Sequence, residues 1–155
     1  MDNDVIMNRE IQRLEQNPMV QEMKKYIQHG TVTTFEHCER VARFSCEINK
    51  KLRLGANVSA LTRGAMLHDF YLYDWHLRTD KPWLHGFQHP VIAAQNAEQY
   101  IGINEIERKI ILSHMWPYTP TRIPGCREAW IVCIADKLCS LEETLFMRKR
   151  HLLVV

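Results

Sequence analysis

Apolar residues recur at steps of three and four along most of the chain, and no segment shows the strict alternation of a half-buried strand or a hairpin signal. Residues 4–16 carry Ile6, Ile11 and Leu14 among polar neighbours, the pattern of an amphipathic helix. Asn17-Pro18 reads as an N-cap with proline at the first helical position, opening a short helix with Met19, Met23, Tyr26 and Ile27 that ends near Gly30. Thr33 or Thr34 caps a third helix over 34–53, with Glu36 in its first turn and an apolar face of Val41, Phe44, Ile48 and Leu52. A fourth opens at Asn57 or Ser59 and runs through Leu61, Ala65 and His68. Residues 70–88 read as a long irregular connection. A fifth helix is predicted to start at His89-Pro90 and a sixth at Asn104. Prolines at 117, 120 and 124 break the chain before a last helix from Arg127 to the basic cluster Arg148-Lys149-Arg150. The expected fold is all-α, a single-domain bundle of about seven helices.

Several of these apolar faces carry a side chain that does not belong in a hydrocarbon core. His37 lies four residues before Val41, on the inward stripe of the third helix. The run Gly64-Ala65-Met66-Leu67 leads into His68-Asp69, with His68 on the inward side. His114 continues the Ile106–Ile110 stripe, and Asp136 sits among Ala129, Val132, Cys133, Cys139 and Leu145 on the stripe of the last helix. A lone histidine at such a phase reads as a core residue bonded to a backbone carbonyl. A buried carboxylate, however, is costly unless it is paired or bound to an ion. Four separate faces that each bring in an imidazole or a carboxylate point to shared ions. This donor mixture suits a divalent transition metal such as Fe, Mn, Co or Zn, one ion or two.

Composition narrows the class. The 155 residues are 46% hydrophobic and 25% charged with a net charge of +2, enough for one domain with a sizeable core and without a basic stripe for a nucleic-acid polymer. No apolar run approaches a membrane span, and the N-terminus does not read as a signal peptide. The five cysteines contain no C-x-x-C, so they read as small core residues of a reduced, cytoplasmic protein. Eight histidines are unusual for this length, and five fall between His68 and His114.

His37, then His68-Asp69, then Asp136 in Ala135-Asp136-Lys137, all on helices, resembles the H…HD…D signature of the HD-domain metal-dependent phosphohydrolases, across roughly residues 34–140. The resemblance implies one HD-like domain over 1–155, with helices 4–29 packed on the core segments. The extra histidines resemble the subset that holds two metals, in which Asp69 would bridge the ions and His89 and His114 would hold the second. His85 competes with His89 for that place. His29, His76 and His151 have no stripe or partner and read as surface histidines. Many members follow the His-Asp pair with a lysine that touches phosphate. Here Phe70-Tyr71-Leu72-Tyr73-Asp74-Trp75 follows, and Lys81 is the first lysine.

The activity implied is metal-dependent hydrolysis of a small phosphorylated molecule, most naturally a nucleotide, by metal-activated water. Asp69 would serve as ligand or as base. Lys137 and Arg40 are the basic groups placed to meet phosphate, or else solvated ion-pairing side chains. The aromatics Tyr71, Tyr73, Trp75, Trp83, Trp116 and Tyr118 either stack on a substrate base or pack the loops down. Two other readings stand beside hydrolysis. One is a di-iron oxygenase on the same fold, and the other is a non-catalytic metal-containing binding module. The expected partner is the small substrate, with neither nucleic-acid polymer nor membrane, and a homodimer is compatible with the chain.

Overall fold

A computed structural model describes residues 2–77 and 82–152, of which the side chains at 77, 82–84 and 146–152 are not described. The expected Lys81, Trp83, Arg148–Arg150 and His151 side chains therefore lie outside the described residues. Seven α-helices are present among the described residues: α1 (Asn3–Glu15), α2 (Pro18–Glu22), α3 (Thr34–Lys51), α4 (Val58–Leu67), α5 (Pro82–Tyr100), α6 (Glu105–Ser113) and α7 (Arg127–Leu152). The fold is all-α apart from a small hairpin, β1 (Ile27–His29) with β2 (Val32–Thr33), turned at Gly30, whose φ of 62° suits glycine. The sequence carries no sign of this hairpin, because two strands of three and two residues are too short to show alternation.

Side-chain caps set most of the helix starts. Asn17 accepts from the Met19 amide, Asn57 from that of Ala60, and capping boxes close α3 (Thr33 with Glu36) and α6 (Asn104 with Glu107). The largest departure concerns α5. It begins at Pro82, so Pro90 lies inside the helix and His89 sits in its third turn rather than at its start. Much of the expected long connection is thus helical, and what remains before it includes a short 3-10 turn at Trp75–Leu77.

α4 is the centre of the bundle. It is apolar nearly all round, and Ala60, Leu61, Ala65, Met66 and Leu67 are buried among α1, α3 and α6. Gly64 lets α6 approach, since a Cβ there would lie 2.4 Å from Ile110 Cδ1. α3 packs on α4, with the small residues Ala42, Ser45 and Cys46 buried and Cys46 Sγ 3.4 Å from Thr62 Oγ1. This leaves Phe44 and Ile48 half-buried and Leu52, expected inside, 66% exposed at the helix end. α7 lies across α3 and α6. Its Leu145, also expected inside, faces solvent. Four cysteines are buried and Cys126 is half-buried, and all five are free thiols. Among the described residues no helix is long and apolar enough to cross a membrane.

Candidate metal centre

Helix ends orient two of the central histidines in the same way. The last carbonyls of an α-helix lack intrahelical donors. His68, at the end of α4, donates from Nδ1 to Ala65 O at 2.7 Å, and His114, at the end of α6, donates from Nδ1 to Ile111 O at 2.7 Å. His89 does likewise within α5, from Nδ1 to His85 O at 2.9 Å. A carbonyl only accepts, so each Nδ1 carries the proton. In its neutral form each ring then presents a bare Nε2 lone pair inward. Burial opposes charge on His68, but Cys38 and the carboxylates of Asp69 and Asp136 hold its pKa well above the usual value until an ion displaces the proton.

These lone pairs converge. His89 Nε2 lies 2.8 Å from His114 Nε2, and both face Asp69 Oδ1, at 3.1 and 3.4 Å. Three acceptors are thus in hydrogen-bond reach of one another with no donor among them. His68 Nε2 and Asp69 Oδ1 are buried without any hydrogen-bond partner. Leaving such atoms unsatisfied costs about 1–3 kcal/mol each. A cation among them removes that cost and the lone-pair repulsion, so the residues fit a metal.

On the other side of Asp69, His37 Nε2 lies 3.1 Å from Asp136 Oδ1. His68 Nε2 lies 3.4 Å from Asp69 Oδ2 and 3.6 Å from Asp136 Oδ1. The sets His37–His68–Asp69, His68–His114–Asp136 and Asp69–His89–His114 each offer ligand atoms within 4.8 Å of one another, and all six residues are buried. Asp69 belongs to both halves.

A surrounding layer fixes these groups. Gln28, projecting inward from β1, donates to Asp69 Oδ2 at 2.6 Å and accepts from the Tyr71 hydroxyl. Glu143 accepts from His37 Nδ1 at 3.0 Å. Glu143 stands seven residues after Asp136, two turns along the same face of α7, a spacing that could have revealed it. Gln28 gives no such signal, because the hairpin that aims it is invisible in the sequence. Burial works against charge on His37, yet Asp136 and Glu143 together hold its pKa up at about 10. Burial likewise opposes ionisation of Asp69 and Asp136, but the imidazoles around them keep both carboxyls well below the usual range. Burial also keeps His114 neutral, as a ligand must be.

The remaining candidates are placed as follows. His85 lies outside the ligand sets found among the described residues. It stacks between Trp75, at 5.2 Å, and His89, at 4.6 Å, with Nδ1 2.9 Å from the Tyr73 hydroxyl. Lys137 lines the cavity beside the cluster, with its ammonium donating to His114 O at 2.9 Å and Cys133 O at 3.2 Å. Arg40 is on the outer side of Glu143, 3.6 Å from its Oε1 and 3.2 Å from Glu142. His29, expected at the surface, is half-buried and meets His37 edge-on at 5.6 Å, because β1 turns it inward. His76 is exposed, beside Asp74. The aromatics divide: Tyr71 is buried and Trp116 packs on Trp130, whereas Trp75 and Tyr118 line the cavity.

That cavity, of about 640 Å³, has Asp69, His89, His114 and Asp136 among its lining residues, so the cluster opens onto a space large enough for a small molecule. The chain matches no curated protein and no solved structure. The HD-domain family model matches residues 34–141, more than two thirds of the chain. The chain therefore belongs to the HD-domain family, a superfamily of metal-dependent hydrolases made up largely of phosphohydrolases.

Proposed function

We propose that the protein hydrolyses a small phosphorylated molecule, most naturally a nucleotide, with a metal centre held by His37, His68, Asp69 and Asp136 on one side and Asp69, His89 and His114 on the other. The observation that carries this reading is the donor-free meeting of His89 Nε2, His114 Nε2 and Asp69 Oδ1 in the wall of a substrate-sized cavity. A divalent ion bound there brings the pKa of its water toward neutrality and offsets charge on phosphoryl oxygens.

The chain's own groups do the rest. Gln28 occupies Asp69 Oδ2 and so turns Oδ1 toward the histidine pair. Glu143 holds the proton on His37 Nδ1 and leaves Nε2 directed at Asp136. Lys137 lends positive charge to the cavity wall, while its hydrogen bonds tie the end of α6 to α7. Arg40, paired with Glu142 and Glu143, reaches the cluster from behind Glu143. Trp75 and Tyr118 offer flat apolar walls to a base, and the buried indole N–H of Trp75, which has no partner among the described residues, is a donor for a ligand oxygen.

The test combines elemental analysis of the freshly purified protein with phosphate release from a panel of nucleotides and sugar phosphates. His68→Ala and Asp69→Ala are expected to lose bound metal and phosphatase activity together, by at least about a hundredfold. Hydrolysis that survives complete chelation would overturn the reading. Oxygen uptake by iron-loaded protein without phosphate release would replace it with oxidative chemistry.

A further inference from the structure

The face of α7 turned away from the metal cluster is apolar and uncovered. Trp130, Ile134, Leu138, Leu141 and Leu145 are 38%, 50%, 47%, 57% and 49% exposed. At 100° per residue these five positions fall within an arc of about 80°, opposite Asp136 and Glu143. No charged residue interrupts the arc between Trp130 and Leu145. A helix face turned to water normally carries charge, and depletion of charge over an apolar stripe marks the core of an interface.

We infer that this stripe is the contact surface of a homodimer, in which two α7 helices pack antiparallel across a two-fold axis near Leu138. Two features single out a second copy as the occupant. The first is the order of the residues. Reversed about the middle of the stripe, Trp130 falls opposite Leu145 and Ile134 opposite Leu141, with Leu138 beside the axis. A two-fold interface needs a surface that complements itself in this way. The second is area. The five side chains expose roughly 450 Å² per copy, so a pair buries roughly 900 Å² of apolar surface, the core of an interface that its polar rim completes to the roughly 1,200–1,600 Å² of a stable dimer. In the dimer the helix that carries Asp136, Lys137 and Glu143 is supported on its outer side.

The test is the mass of the full chain in solution at high micromolar concentration, by light scattering or sedimentation. The wild-type protein is expected at twice the 18.4 kDa of one chain. Ile134→Glu and Leu141→Lys should each halve that mass. Both positions are exposed, so the fold and metal content of each variant, checked by circular dichroism and elemental analysis, should be unchanged. Mixing the two variants in equal amounts should restore the dimer, because the antiparallel pairing sets the carboxylate introduced at position 134 of one copy against the ammonium introduced at position 141 of the other. A wild-type monomer overturns the inference and leaves the face to a different partner. A folded Ile134→Glu variant that stays dimeric overturns it as well, as does a mixture that remains monomeric.

Discussion

At the scale of single residues, a carboxylate behind a ligand histidine decides how that histidine presents itself. Glu143 fixes the ring of His37 through Nδ1, and its carboxylate also lies within 4.8 Å of a His29 ring nitrogen. Glu143→Gln retains an acceptor at that position and is expected to keep metal. Glu143→Leu removes it, and metal affinity measured by competition with a chelating dye should fall roughly 10–100-fold. Equal affinities for the two variants would show that the contact is idle. The inward phase of His37, His68, His114 and Asp136 is legible from the sequence because each sits at a step of three or four from apolar neighbours. His29 and Gln28 are not legible, since nothing marks the two short strands that turn them inward.

At the scale of elements, close approach of α4 to α6 brings the ends of both helices, and therefore His68 and His114, to one place; their rings are 4.9 Å apart. That approach depends on a missing side chain at Gly64. Gly64→Ala would force Ile110 aside and is expected to cost about 1–3 kcal/mol, read as a lower midpoint in denaturant, with weaker metal binding as the helix ends separate. An unchanged midpoint would show that Ile110 has another place to go. The helices themselves are readable wherever a capping side chain meets an apolar period, as at Asn17, Asn57 and Asn104. The start of α5 is not, because histidine and proline at 89 and 90 imitate a helix N-terminus while lying in the third turn.

At the scale of the whole molecule, metal and protons compete for the same buried atoms, and the two states of the protein should respond to pH with opposite signs. In the metal-free chain His37 titrates at about 10, above the roughly 6.5 of an unfolded histidine. Its contribution to stability is therefore complete below about pH 6.5 and is lost as pH rises toward 10. Asp69 and Asp136 are shifted down, so their contribution holds above the usual carboxylate pKa and is lost only in strong acid. Thermal melts of chelated protein should fall between about pH 7 and 10, while the stabilisation gained on adding metal should grow over the same range as ligands shed protons. Parallel slopes in the two series would contradict this exchange. Asp69 adds a last consequence. One of its oxygens faces His68 and the other faces His89 and His114, so whatever settles the carboxylate on one side prepares it for the other. Should each half hold an ion, the two could not fill as strangers: the order of loading, and the steepness of the loading curve, would be written into a single side chain.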